Sequence, residues 1–451
     1  MTRWLVGAAV CFAALAACCS ESGSATSEDA GGGDGLVEAS GGSGGVVLPD
    51  GNTEAEVSAA GSGGAAGTGG STGDASNDAW QPAGDPGWKK VGWATTCEME
   101  VATKPTNAAP ALQWTECGAG CKRLVPNWPN ESGIPLQGAQ LFKDGDSLRL
   151  SIHMRFVDDR RKAVFDENSE PVVAWRSGSA NPCGGNLLQW TAKHVCFAVG
   201  NATDPMYQAF LSANDLDGAP LALYATQQLV PLGCNEELFV GSSYGGIPYL
   251  RDLDSGLERW IQFPNAMPSF AIPSGPNAFF VLMGVEQSHE KLTGWVWKRP
   301  DTLEQLVDAG SEMVYDIRSD GNTLVWVQTA SASSLDPATG TLWTSPFATS
   351  ASEVEATQRR SVPALTIVPQ YKVVGQGYYA LVEQPVGSAE RYLHVYRLSD
   401  ARHWKVPTLP DVRPADLIYI DAEEVWFIGT TLNDANSTII RQKLDALGPG
   451  D

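Results

Sequence analysis

Asp316-Ile-Arg-Ser-Asp-Gly-Asn-Thr-Leu-Val-Trp-Val-Gln328 reads as strand, turn, strand. Asp320, Gly321 and Asn322 are residues that tolerate the positive φ of a tight hairpin. Leu324 to Val327 is an apolar run of β-formers with no polar face, the pattern of a strand covered on both sides.

Matching strands recur along the chain. Leu148–Ile152, Val195–Val199, Leu238–Val240, Phe279–Leu282, Leu324–Val327, Tyr379–Val382 and Val425–Ile428 carry the same kind of run. Marks at 149, 196, 239, 279, 325, 380 and 427 are separated by 47, 43, 40, 46, 55 and 47 residues. Repeats of roughly 40–50 residues built of several strands indicate a β-propeller. The expectation is an all-β, seven-bladed β-propeller over 88–451, with eight blades as the alternative. The segment with Cys97–Ala102, Leu112–Trp114 and Cys121–Val125 lies outside the seven marks. It either supplies strands to the last blade or forms the eighth. Ser352–Arg360 is a stretch that suits a helix.

A second feature follows the marked strands. Leu253-Asp-Ser-Gly-Leu-Glu-Arg-Trp260 matches Leu335-Asp-Pro-Ala-Thr-Gly-Thr-Leu-Trp343, and Leu398–Trp404 is a weaker copy. These resemble the Asp-x-x-Thr-Gly-x-x-x-Trp turn of quinoprotein-type and other repeat propellers. Only one copy has Thr-Gly, and Trp343 comes one residue early. The resemblance therefore speaks for the fold and for no quinone cofactor. Trp260, Trp326, Trp343 and Trp426 are expected to pack between blades. Trp295 and Trp297 alternate onto one strand face, where they would pack or form a sugar-stacking platform.

The N-terminus has a different character. Arg3 precedes an uncharged apolar stretch, Trp4 to Ala17, too short to span a bilayer comfortably and suited to a signal peptide over 1–17. Leu15-Ala-Ala-Cys18 resembles a bacterial lipobox. That resemblance implies diacylglyceration of Cys18, cleavage before it and anchoring in a membrane by several acyl chains. Cys19 follows Cys18 where an inner-membrane retention signal would have Asp, so the outer membrane is the expected site within the cell envelope. Residues 20–87 hold 19 Gly and 11 acidic residues with no Lys or Arg. So little apolar surface cannot offset ordering entropy, and 18–87 reads as the lipid-attachment Cys and a disordered acidic tether. Its root-mean-square span is roughly 45 Å.

The tether accounts for half of the net charge of −22, and the remaining domain is acidic too. That balance repels nucleic acid and anionic lipid surfaces. Outside the leader and lipobox stand six cysteines: Cys97, Cys117, Cys121, Cys183, Cys196 and Cys234. An even number in an exported chain suggests disulfides. A hairpin centred on Asn107 would pair Cys97 with Cys117, and Cys183 with Cys196 is a second candidate pair. Cys117-x-x-x-Cys121 read as a metal site lacks partners at zinc-ligand spacing.

No catalytic set is legible. Gly241-Ser-Ser-Tyr-Gly-Gly246 resembles the elbow of prolyl-oligopeptidase-like hydrolases, with Ser243 as nucleophile. Such an elbow must open a helix, whereas Pro248 and a further strand follow here. His153, His194, His289, His394 and His403 stand singly, without metal-binding spacing. The acidic turns at Asp158-Asp159, Asn214–Gly218 and Asp252–Gly256 lack the full ligand set of a calcium loop. Residues 138–447 resemble the broad group of repeat-propeller envelope proteins, including those of the Tol system and of outer-membrane assembly. No functional residue carries over from that resemblance, and with no catalytic set visible the expectation is non-catalytic binding of a protein, peptide or glycan across a propeller face, with no cofactor. A propeller enzyme with a central-channel site, glycan-active or lactone-hydrolysing, is the alternative.

Overall fold

The computed structural model describes most residues from Lys89 to Asp451. Residues 1–88, 92–98, 104–110, 125–138, 178–183, 201–205, 213–221, 330–338 and 432–436, with some shorter segments, lie outside the described residues. The tether and Cys18 are therefore among those not described.

The described strands fall into seven antiparallel sheets. Each apolar run marked in the sequence is the second strand of its sheet. Leu324, Val325, Trp326 and Val327 are all buried, because a second strand is packed on both faces. Sheets 1 to 6 each contain four strands that follow one another along the chain, beginning at Ala139, Gly184, Leu229, Ala266, Met313 and Lys372. Sheet 7 is composite. Val412–Ile420, Glu424–Thr431 and Ser437–Lys443 are continued by Cys121–Leu124 and Trp114–Gly118 from the other end of the domain. The expected seven or eight equal repeats are thus corrected to six consecutive blades plus one sheet made from both ends. Met99–Thr103, expected to go with Cys121 or into an eighth blade, joins the outer edge of sheet 1 against Pro171–Ser177.

Hydrophobic clusters sit between sheets. Leu324, Trp326 and Phe279 join sheets 4 and 5, Val327, Leu342 and Tyr379 join 5 and 6, and Val395, Val412 and Phe427 join 6 and 7. The seam between sheets 7 and 1 is filled by Ile152, Phe165, Trp426 and Ile439, with Leu112 and Trp114 from the N-terminal segment. Trp114 meets Trp426 edge-on at 5.6 Å and donates to Ser169 Oγ at 3.0 Å. First strands pack on first strands between sheets 2 and 3, 3 and 4, 5 and 6, and 6 and 7, and Val412–Ile420 against Ala139–Asp144 joins sheet 7 to sheet 1; between sheets 4 and 5 His289–Lys298 meets Met313–Ser319, and between sheets 1 and 2 Pro171–Ser177 meets Gly184–Trp190. The sheets thus follow one another around a channel.

A belt of polar contacts runs around the turns between first and second strands. Lys193 pairs with Glu236 at 3.0 Å, Asn235 Nδ2 donates to Gly275 O at 2.9 Å, and Ser274 Oγ donates to Gly321 O at 3.1 Å. The Gln376 amide N–H donates to Asp320 Oδ2 at 2.8 Å, Gln376 Nε2 donates to Tyr419 Oη, and Lys143 reaches Asp421 across the seam. Arg149 over the Trp190 ring joins sheets 1 and 2. Asp320 also accepts from the amides of Asn322 and Thr323, and Gly321 takes φ 87° as the turn requires.

Trp326 and Trp343 stack at 6.2 Å and Trp426 is buried, as expected of packing residues. Trp260 is not: it lies on an edge strand, 51% exposed, against Tyr249. Trp297 is buried and Trp295 packs on the same cluster between sheets 3 and 4, which makes them core rather than a sugar platform. Ala351–Thr357 is a helix capped by Ser350, whose side chain accepts from the Glu353 amide.

Candidate channel-wall site

The first strands of sheets 5, 6 and 7 carry charge at corresponding positions. Asp316 and Lys372 stand four residues ahead of the turn residues Asp320 and Gln376, and Asp416 stands five ahead of Asp421. The extra residue in the last strand is a bulge: pairing shifts between Pro414 and Asp416 and again between Leu417 and Tyr419. Pairing also shifts between Val314 and Asp316, so Tyr315 is extruded just before Asp316. A bulge re-aims the side chains beside it. Here it leaves Tyr315 exposed and turns Asp316 inward.

Two layers result. Behind the wall, buried Asp316 accepts from Tyr379 Oη at 3.1 Å through Oδ2 and from Arg318 Nε at 3.1 Å through Oδ1. Lys372 Nζ lies 3.5 Å from Asp316 Oδ2 and 5.4 Å from the Tyr315 ring centroid. Burial pulls the Lys372 ammonium below its ordinary pKa, against the opposing pull of Asp316. Burial pushes the Tyr379 phenol well up, with Asp316 adding to the effect, so it remains a donor. In front stand Tyr315, Arg318 and Asp416. Asp416 is exposed, yet protein surrounds it closely enough for desolvation to raise its pKa, while the Leu417 amide and Arg318 pull the other way. Asp316 thus fixes Arg318 from behind.

Farther out in the cleft between sheets 5 and 6, His394 Nδ1 and His403 Nε2 share a hydrogen bond of 2.9 Å with stacked rings. His394 Nε2 stands 2.9 Å from Glu383 Oε2, an ion pair when the imidazole is protonated. Tyr396 stacks on His403. Burial lowers the pKa of both imidazoles. The two histidines that stand singly in the sequence are therefore a pair in the fold. Their nine-residue spacing spans a hairpin, and Tyr396 pairs with His403 in its register.

The cysteine pairings expected from spacing are corrected. Cys117 is bonded to Cys121 and Cys196 to Cys234, so neither Cys97–Cys117 nor Cys183–Cys196 forms. The first bond also removes the Cys117-x-x-x-Cys121 metal reading, since neither sulfur is a free thiolate. Cys97 and Cys183 lie outside the described residues. Ser243 ends the strand Leu238–Ser243, which pairs antiparallel with Pro248–Asp252, giving a hairpin where a nucleophile elbow needs a helix. Asp252 serves its own turn, accepting from the Asp254 and Ser255 amides and pairing with Arg299 at 2.7 Å. Asp158, Asp159 and Asn214–Gly218 lie outside the described residues. His194 opens a strand beside Thr191, and His153 and His289 lie in strands without a described side-chain environment.

No protein-family model matches the chain, and no curated protein does. Among solved structures it is similar to a prolyl endopeptidase studied for inter-domain dynamics in catalysis and specificity, at 13% identity and a TM-score of 0.45, over 67% of this chain and 47% of that one. The chain therefore spans about half the length of that protein. It is also similar to the β-propeller domain of the Trilobed protease from Pyrococcus furiosus, with 10% identity, a TM-score of 0.45, and 68% and 94% of the two chains covered. The Pan2 WD40 domain of Neurospora crassa matches at 13% identity and a TM-score of 0.40, over 73% and 95%.

Proposed function

We propose that the chain is a cell-envelope lipoprotein, attached through Cys18, whose propeller is a non-catalytic binding module for a protein, peptide or glycan. The observation that supports this reading is the channel wall of sheets 5 to 7. There exposed Tyr315 and half-buried Arg318 are held from behind, Arg318 by Asp316 and the Tyr315 ring by Lys372, and the charges of that buried layer are already paired. Preorganised groups of this kind favour binding, because little side-chain entropy remains to be lost. The acidic tether separates that module from the membrane anchor, and the outer membrane is the proposed location.

The enzyme alternative draws on one observation, the raised pKa of Asp416, which suits a general acid. A second carboxylate would have to work opposite it, and Asp316 is engaged by Tyr379, Arg318 and Lys372.

Two experiments test the reading. Metabolic labelling with an alkyne fatty acid should mark the wild-type protein and not Cys18→Ala, which should also leave the membrane fraction. The purified full chain in detergent, applied to glycan and peptide arrays, should retain a defined ligand class without converting it. Turnover abolished by Asp416→Asn, with binding intact, would replace the binding module with the enzyme.

A further inference from the structure

We propose that Glu383, His394 and His403 form an acid-operated latch that holds the outer edge of sheet 6 closed. The three side chains cross three neighbouring strands on one diagonal. Glu383 ends the second strand, His394 stands in the third, and His403 opens the fourth, which is the outermost. Tyr396 pairs with His403 and His394 with Lys405, so the two histidines are diagonal neighbours in that register. Their facing nitrogens, His394 Nδ1 and His403 Nε2, are 2.9 Å apart, a distance at which one nitrogen donates and the other accepts. A first added proton is tolerated. His394 then donates to His403, and its other nitrogen faces the Glu383 carboxylate at 2.9 Å. A second proton sets N–H against N–H, and the contact cannot persist.

What holds His403 from the other side defines the piece that moves. His403 and Asp451 exchange backbone hydrogen bonds of 3.1 and 2.9 Å, and Trp404 Nε1 donates to Gly448 O at 3.0 Å. Residues 448–451 therefore lie along the fourth strand and travel with it. Stacking on His394 and Tyr396, with ring centroids 5.1 and 4.6 Å away, keeps the His403 imidazole from simply turning aside. The surroundings of the two rings follow the same division. Burial is the main influence against a proton on His394; Glu383 favours one, while His403 and Lys405 oppose it. On His403 burial again opposes the proton, with Lys405, while Asp451 and Glu383 favour it. Once both rings are charged, each has a carboxylate on its own side of the gap, Glu383 inside and Asp451 outside. Opening relieves the burial and the facing N–H groups, so it takes up protons, and acid favours the open latch. The backbone groups along the outer edge of sheet 6 are then bared.

The test is amide hydrogen exchange of the full-length protein from pH 7.5 to pH 5, corrected for the intrinsic dependence of exchange on pH. Protection of His403–Val406 should fall about tenfold per pH unit below about pH 6.5, the slope for one extra proton bound on opening. At pH 5 these amides should exchange at least about tenfold faster than those of Thr323–Thr329, a buried second strand that reports unfolding of the whole ring. His394→Gln and His403→Gln should each remove the fall, because one imidazole alone cannot set two protons against each other. Glu383→Gln should move its onset to lower pH, since the first proton loses its counter-charge. Protection of His403–Val406 that stays constant, or that only keeps pace with Thr323–Thr329, would overturn the proposal. So would an equal fall in either histidine variant. Where those variants fail to fold by circular dichroism, an unshifted onset in Glu383→Gln decides against the latch.

Discussion

Replacing Asp316 by Asn keeps the shape of the side chain and removes the charge that serves Lys372, Arg318 and Tyr379. At the observed separation of 3.5 Å, a unit charge pair is worth roughly 5 kcal/mol at an effective dielectric constant near 20. Lys372 is buried, and its ammonium would be left without its nearest counter-charge. Removing one partner of a buried pair costs about 3–5 kcal/mol, most of it the desolvation of the group left behind. Asp316→Asn should therefore lose about that much. Replacing both partners removes the stranded charge, so Asp316→Asn with Lys372→Met should recover at least about 2 kcal/mol of the loss. Urea unfolding followed by tryptophan fluorescence measures both, since Trp326, Trp343 and Trp404 lie in sheets 5 and 6. A single-variant cost below about 1 kcal/mol, or strictly additive costs in the double variant, would refute the reasoning.

A Cβ added at Gly375 would lie 2.2 Å from the Ile420 carbonyl oxygen, so Gly375→Ala should force sheets 6 and 7 apart and cost well above the value for Gly377→Ala. The latter meets no atom within 4 Å and carries only the strain of φ 80°, about 1–2 kcal/mol; thermal melts of the pair decide it. Opening Cys196–Cys234, with a separation of 38, should cost about 4 kcal/mol, and opening Cys117–Cys121, with a separation of 4, about 2 kcal/mol, by the chain-entropy relation. Equal losses in Cys→Ser variants would contradict that order. For His394 and His403 the folded pKa lies below the unfolded value of 6.5. Unfolding takes up protons, so their contribution is complete above about pH 6.5 and is lost as the pH falls through the folded values. The urea midpoint should drop between pH 7.5 and 5 in the wild type and drop less in a His394→Gln, His403→Gln variant; identical slopes would count against the burial of the histidine pair.

The repeat was legible because second strands are packed on both faces and so appear as uninterrupted apolar runs. First strands were not, since they face a channel and mix polar with apolar residues over bulges that break the alternation. The channel charges nonetheless left a trace: Asp316, Lys372 and Asp416 keep a nearly constant distance from the turn residues Asp320, Gln376 and Asp421. Counting back from turns, rather than along apolar runs, would have aligned them. The cysteines misled for a topological reason. The residues flanking Asn107 are not one hairpin: Met99–Thr103 goes to sheet 1 and Trp114–Gly118 to sheet 7, so equal spacing about a turn implied nothing about contact. Trp260 misled because a three-residue edge strand has only one neighbour to cover it.

The composite seventh sheet sets a timetable for the polypeptide. Cys121–Leu124 is synthesised long before Ser437–Lys443, with Thr438 Oγ1 donating to Leu124 O across 314 positions of chain. At about 5–20 residues per second, the early strand waits about 15–60 s for its partner. During that interval its backbone is an open template, and so is the outer edge of whatever blade was completed last. A nascent or clipped chain lacking the final strand never escapes that condition. Quality control in whichever compartment the ring closes is therefore expected to act on shortened forms far more than on most single-residue variants of the finished molecule.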